Sequence, residues 1–213
     1  MISHLFEKTT LLPEEYVLYE PEQMRYKSTI YSGAKSRSFL QDGWQIITLE
    51  RLFHNFFGES LYVSIFKISD HEKRLRFLVE QVERITGLSD FGIYMNKLFT
   101  VDTLFLNEDR HTHNIVVLMN EKGKVCILSF FDQGAGLLSD ATMDYPMNGG
   151  IYELMNQVEA KTISGDIDEQ LDISERFYHT NIKFDFIAKD VEMLLKEANM
   201  YSIEEKARVE QIL

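Results

Sequence analysis

The segment from Asp90 to Leu106 constrains the fold most, because its apolar residues do not keep to one side of a helix. Its large apolar residues are Phe91, Ile93, Tyr94, Leu98, Phe99, Val101, Leu104 and Phe105. A helix that is apolar nearly all round has to be covered by other elements on every side. We therefore expect a buried central helix inside a substantial core, which a chain of 213 residues can supply.

Amphipathic patterns on both sides of this segment predict the elements that cover it. Apolar residues recur at helical spacing over residues 48–58, 69–87 and 184–195, and a last helix is expected to begin at Ser202. Ser69-x-x-Glu72 has the form of a capping box, in which two side chains satisfy free backbone donors of the first turn. The predicted fold class is therefore mainly α, with few strands.

A β-hairpin is the β-structure predicted with the clearest signal. Two β-prone runs, 115–119 and 125–131, are joined by the turn-forming stretch Glu121-Lys122-Gly123-Lys124. Residues 1–43 are expected to form a separate N-terminal segment, with a short strand at 16–19 and a basic exposed loop at 25–37. Residues 44–213 are expected to form the helical domain.

Polar residues cluster at the two ends of the predicted hairpin. The loop 107–114 leads into it, and Asp132-Gln133-Gly134 follows it. Because a hairpin brings its ends together, Asn114 and Asp132 are expected to lie close in space, where two oxygen ligands can hold a hard cation such as Mg²⁺. Asp109 precedes Asn114 by five residues on the same loop and could act as a general base toward a hydroxyl group.

The pattern Asp109-Arg110-His111-x-x-Asn114, then strand, turn, strand and Asp132-x-Gly134, resembles the catalytic half of HipA-like serine/threonine kinases. A similar loop is found in phosphatidylinositol kinases. The resemblance implies the C-lobe of a kinase-like fold and an ATP- and Mg²⁺-dependent phosphotransferase. The resemblance implies that Asp109 is the catalytic base and that Arg110 and His111 are further residues of the catalytic loop. It implies that Asn114 and Asp132 are Mg²⁺ ligands. It also implies that Tyr19 and Glu20 lie in the hinge segment, whose backbone contacts adenine in such kinases.

The chain departs from the kinase pattern before the hinge-like segment 16–20. A kinase N-lobe has a glycine-rich loop and a strand lysine that grips phosphate, and neither is recognisable there. We expect a separate N-lobe-like protein partner to supply them. A catalytically inactive pseudokinase, or a binding module like those of toxin–antitoxin systems, is the alternative. A metal-dependent hydrolase using Asp109, His111 and His113 is the third possibility.

Charge and composition narrow the classes of partner. Lys and Arg number 22 and Asp and Glu 34, which gives a net charge of −12. Phosphate-rich surfaces are bound by cations, so we expect no direct DNA binding and no membrane association. The one cysteine, Cys126, excludes an internal disulfide and a cysteine-based zinc site and fits a reducing compartment. Cytoplasmic localisation is predicted, with ATP and a protein substrate as further partners.

Overall fold

The computed structural model describes residues 1–127 and 129–213. Five strands and nine α-helices form in these two ranges. In chain order they are α1 (Ile2–Leu5), β1 (Glu20–Tyr26), β2 (Thr29–Lys35), β3 (Trp44–Thr48), α2 (Leu49–Phe57), α3 (Leu61–Phe66), α4 (His71–Thr86), α5 (Phe91–Leu104), β4 (Val116–Asn120), β5 (Val125–Ile127), α6 (Ile151–Met155), α7 (Ile167–Tyr178), α8 (Ala188–Glu197) and α9 (Ile203–Ile212). The molecule is mostly helical, with two small antiparallel sheets.

The central buried helix is confirmed as α5. Nine of its fourteen residues are buried, and Phe91, Met95, Phe99 and Val101 have no measurable exposure. Helix α5 packs most extensively against α7 and also meets α4. The main core surrounds α5, and side chains from α1 at one end of the chain and α8 at the other belong to it.

Capping interactions set the two ends of α2 and the start of α4, both of which precede α5 in the chain. Thr48 caps α2 by accepting a hydrogen bond from the Arg51 N–H, and Gly58 ends α2 with a φ of 70°. For α4 the predicted cap is wrong by one residue. Asp70, not Ser69, accepts the hydrogen bond from the first turn, at 3.0 Å from the Lys73 nitrogen, because the helix begins at His71.

The predicted hairpin is confirmed as β4 and β5, but it belongs to a three-stranded sheet. Strand β3 pairs antiparallel with β4, from Trp44 opposite Asn120 to Thr48 opposite Val116. β5 is shorter than the β-prone run that predicted it, and Leu128 of that run lies outside the described residues. The sheet therefore connects the start of α2 directly to the strand that follows the polar loop.

The N-terminal segment differs from its prediction. Residues 16–19 form no strand; Tyr16 makes a single bridge to Phe130. The region predicted as a basic loop is instead half of a hairpin, in which β1 and β2 pair across a turn at Lys27 and Ser28. Every residue of both strands is exposed, so the alternation of buried and exposed positions that reveals a strand in a sequence is absent.

Residues before β1 belong to the main core. Leu5 and Phe6 are fully buried there, and the Phe6 ring meets those of Tyr16 and Phe105 edge-on. The division of the chain at residue 43 stays a prediction. Within the described ranges, none of the helices has the length and apolar character needed to cross a bilayer.

Candidate functional site

The loop between α5 and β4 brings the predicted base and a predicted metal ligand into contact. The Asn114 side-chain nitrogen donates to the Asp109 carboxylate at 2.8 Å and to the Asp109 carbonyl at 2.9 Å. The other Asp109 carboxylate oxygen lies 3.5 Å from the Nε2 of His111, and half of the Asp109 side chain is exposed. Because Asn114 uses its nitrogen toward Asp109, its Oδ1 is available as an oxygen ligand.

Arg110 belongs to this loop and its side chain is buried. Its Nε and Nη2 donate to the two carboxylate oxygens of Asp102 on α5 at 2.9 and 3.1 Å. Burial opposes the charged form, but the Asp102 carboxylate outweighs it, so the pKa of Arg110 is raised. Arg110 is therefore held as a charged anchor for the loop.

The same guanidinium connects the two sides of the β4–β5 hairpin. Its Nη1 donates to the Asn114 carbonyl at 3.0 Å, and its Nη2 donates to the Gln133 side-chain oxygen at 3.2 Å. Gln133 directly follows Asp132, the other predicted metal ligand. Asn114 and Gln133, the neighbour of Asp132, thus bond to one buried residue, although no direct hydrogen bond joins Asn114 to Asp132 in the described part of the chain.

Three residues of this network had no role assigned from the sequence: Asp102, which lies outside the predicted site segments, and Asn107 and Gln133, which lie within them. The Asn107 nitrogen donates to Asp102 at 2.7 Å and to Gln133 at 3.3 Å, while its buried Oδ1 has no partner among the described residues. One signal was present in the sequence. A carboxylate on a helix that is otherwise apolar is seldom buried without a cationic partner, so Asp102 calls for an arginine or lysine nearby.

Tyr19 and Asp132 border the same cavity, of about 370 Å³, between the segment 132–141 and α9. Burial raises the pKa of the Tyr19 phenol. The backbone N–H of Asp132 acts to lower the pKa of this phenol, whereas the negative charge of the Asp132 carboxylate acts to raise it. Tyr19 and Asp132 therefore lie close together. Glu20, the other predicted hinge residue, does not line this cavity; it begins β1 and lies 3.7 Å from the Lys35 Nζ.

The segment that follows Asp132 is anchored at several points. Arg208 of α9 donates to the carbonyls of Leu138, Tyr145 and Pro146 at distances from 2.7 to 3.1 Å. The Leu137 N–H donates to the Phe105 carbonyl, which lies so close that a Cβ on Gly136 would be 2.8 Å from it. Glycine is therefore required at position 136, and the anchors hold this segment against the end of α5.

Glu50, in the first turn of α2, joins the polar loop to α3. Its Oε2 accepts hydrogen bonds from the Tyr62 N–H at 2.9 Å and the Thr112 hydroxyl at 3.2 Å. Burial would raise the pKa of Glu50, but donors from Ser60, Tyr62 and Thr112 outweigh it, so the pKa lies below its usual 4.5.

We expect Glu50→Gln to reduce the free energy of unfolding at neutral pH by about 1–3 kcal/mol, because an amide offers these donors only one weaker acceptor oxygen. A depressed carboxylate pKa stabilises the fold above pH 4.5, and this contribution is lost as the pH falls through the folded-state pKa. The difference between variant and wild type, measured by urea unfolding, should therefore shrink below pH 4.5. A difference that does not change with pH would contradict this role.

His111 and His113 do not assemble a metal site with Asp109. The Nδ1 of His111 accepts a hydrogen bond from the His113 backbone N–H at 3.2 Å, so it is already occupied. In residues 1–127 and 129–213, no three His, Cys, Asp or Glu side chains are close enough together to hold a metal ion. The set of three ligands required by the hydrolase interpretation is therefore not formed.

Comparisons with known proteins support the fold but not a family. No protein-family profile matches this sequence. No curated protein matches it either. A solved structure, the crystal structure of a Helicobacter pylori proinflammatory kinase CtkA, is similar with a TM-score of 0.63 and 15% sequence identity. The similarity covers 99% of this chain and 75% of that chain, so the fold is kinase-like.

Proposed function

We propose that this chain is the catalytic lobe of an ATP- and Mg²⁺-dependent phosphotransferase, of the HipA-like Ser/Thr protein kinase type. One observation carries the proposal. The Asp109–Asn114 pair and the segment that begins at Asp132 are connected through a single buried arginine, Arg110. Phosphoryl transfer needs such an arrangement, because its catalysis is mostly positioning and charge stabilisation. We also propose a cytoplasmic location, where ATP is available and Cys126 stays reduced.

Side-chain oxygen atoms at the two ends of the β4–β5 hairpin fit the proposed Mg²⁺ ion. Mg²⁺ prefers oxygen ligands, and the Asn114 Oδ1 and the exposed Asp132 carboxylate offer one from each end of the hairpin. When bound, the ion would neutralise charge on the phosphate oxygens. Asp109 stays free of this ligand set, so its carboxylate can orient an acceptor hydroxyl and accept the proton from it.

We propose the cavity between Tyr19 and α9 as the nucleotide side of the site, because Asp132 borders it. A lysine that grips phosphate would come from a further segment of the protein or from an N-lobe-like partner chain. The β1–β2 hairpin supports such a partner, since it directly follows Tyr19 and every residue of its strands is exposed. It carries four exposed apolar side chains, namely Met24, Tyr26, Ile30 and Tyr31.

Thermal unfolding with and without Mg-ATP tests the proposed nucleotide site. Saturation at a hundredfold excess over Kd adds about 2.7 kcal/mol, which for a domain of this size raises Tm by about 5–10 °C. We expect Asp132→Asn to abolish most of this shift, because a neutral amide is a weaker Mg²⁺ ligand than a carboxylate.

Glu121→Gln is the control for that experiment, since it removes a carboxylate from the exposed turn of the β4–β5 hairpin. This variant should keep the full shift. An equal shift for wild type and Asp132→Asn would reject Asp132 as a ligand. If no shift appears in the wild type, the chain requires the additional phosphate-binding segment before nucleotide binds.

A binding module without turnover is the second candidate. It is favoured by the exposed hairpin, which offers an extensive surface to a partner, and by the lack of a recognisable phosphate-gripping lysine. Mg-ATP binding without phosphate transfer, even when an N-lobe-like chain is added, would select this candidate over the kinase.

A further inference from the structure

An open groove of about 460 Å³ borders the proposed catalytic loop. We call it the acceptor groove. Three parts of the chain line it: residues Ser60, Tyr62 and Phe66 at α3, His111 and His113 of the catalytic loop, and the segment 160–165. Since His111 lies 3.5 Å from the Asp109 carboxylate, the groove leads to the proposed base.

The segment 160–165 holds one cation at the wall of this groove. Lys161 is exposed, while Ala160, Thr162, Ile163 and Ser164 around it are buried. The Thr162 hydroxyl donates to the Arg110 carbonyl, and the Ala160 N–H donates to the Gly165 carbonyl at 3.0 Å. The backbone on either side of Lys161 is therefore fixed relative to the catalytic loop.

Lys161 is the one lysine or arginine on the lining, and it has no ion pair within the part of the chain that the structure describes. Two carboxylates that contact lining residues or their neighbours are already engaged. Glu50 accepts from Tyr62 and Thr112, and Glu169 accepts from Ser164 and lies 2.9 Å from His71. The lining thus presents an unpaired positive charge to whatever enters.

Two aromatic rings form the α3 part of the lining. The rings of Tyr62 and Phe66 lie 4.5 Å apart, and their side chains are exposed. An occupant that contacts both Lys161 and these rings therefore needs an anionic group and an apolar group, as neighbouring side chains of an extended polypeptide provide.

We propose that the acceptor is a polypeptide with an acidic side chain next to its hydroxyl residue. This inference rests on the proposed phosphotransferase function and names its substrate class. The acidic side chain would pair with Lys161, and an apolar neighbour would contact Tyr62 and Phe66. The hydroxyl oxygen would then form a bond to the γ-phosphorus of ATP as the bond to the β–γ bridging oxygen breaks. The hydroxyl proton passes to Asp109, and the bond's electron pair leaves with ADP.

Fluorescence anisotropy with matched synthetic peptides tests this inference without ATP. One labelled peptide has serine flanked by leucine and glutamates, and the other replaces the glutamates by lysines. We expect the wild-type chain to prefer the glutamate peptide and Lys161→Glu to weaken its binding by up to about fivefold, since an exposed ion pair contributes up to about 1 kcal/mol. Lys161→Glu should also improve binding of the lysine peptide.

Lys122→Glu is the matched control, because it makes the same charge change in the exposed turn of the β4–β5 hairpin. It should leave the preference unchanged. Equal binding of the two peptides, no binding of either, or a preference that survives Lys161→Glu would overturn the inference. Phosphate transfer to the glutamate peptide is measured separately with labelled ATP. Lys161-dependent binding without any transfer, even when an N-lobe-like chain is added, would reject the phosphotransferase function and not the charge preference of the groove.

Discussion

Replacing Asp109 by asparagine is expected to reduce phosphate transfer to a protein acceptor by about 10²–10⁴-fold, the usual contribution of a general base. An asparagine can still accept the hydrogen bond from the Asn114 side chain, which measures 2.8 Å with the carboxylate. The loop should therefore keep its shape. What the amide cannot do is take a proton from the acceptor hydroxyl. The assay is transfer of labelled phosphate from ATP, run with any partner that supplies the N-lobe.

Two further measurements separate a chemical defect from a folding defect in this variant. Because the Asp109 side chain is half exposed, Asp109→Asn should unfold at nearly the wild-type temperature and keep its Mg-ATP-induced shift. Asp168→Asn, which removes an exposed carboxylate on α7, should transfer phosphate at the wild-type rate. Wild-type transfer by Asp109→Asn would remove Asp109 from the mechanism.

Replacing Arg110 by alanine is expected to have the largest effect on stability. The Asp102–Arg110 pair is almost inaccessible, with side-chain exposures of 1% and 4%. Loss of one member leaves an uncompensated buried charge, which costs about 3–5 kcal/mol. For a domain of this size that lowers Tm by about 6–20 °C in thermal unfolding. Arg110→Ala should also weaken Mg-ATP binding, because Arg110 bonds to both Asn114 and Gln133.

An exposed ion pair provides the control for this prediction. Arg176 and Glu72 lie on the surface, with side-chain exposures of 59% and 46%. Arg176→Ala should change the free energy of unfolding by no more than about 1 kcal/mol. The double variant Asp102→Leu with Arg110→Met should lose less stability than Arg110→Ala, since no charge then remains buried. Equal destabilisation by Arg110→Ala and Arg176→Ala would show that the buried pair does not anchor the loop.

Local patterns predicted the elements that matter most for the site. The apolar residues from Phe91 to Phe105 predicted α5, and the runs on either side of Gly123 predicted the β4–β5 hairpin. The residues from Asp109 to Asn114 were predicted to act together, and their side chains are in contact. These predictions depended on interactions within a few residues of one another, which spacing along the chain reports directly.

Other elements could not be predicted because their partners are distant in the chain. Strand β3 exists through its pairing with β4, more than sixty residues later, and only one of its own five residues is buried. The β1–β2 hairpin buries nothing, so no periodicity marks it. Propensity and periodicity reveal an element in a sequence when one of its faces is buried and the other is exposed. Neither β3 nor the β1–β2 hairpin has such a regularly buried face.

The amino-acid sequence by itself determined that a buried helix leads into a polar loop and a hairpin, because helix periodicity and turn chemistry are local. Which polar residues of different elements contact one another was decided by the tertiary structure alone. Only packing of α5 against the loop sets Asp102 against Arg110, and only the fold of segment 160–165 brings Lys161 to the same groove as His111. A buried charge is stable only when an opposite charge or hydrogen-bond partner is buried beside it, and that partner can lie at any distance along the sequence.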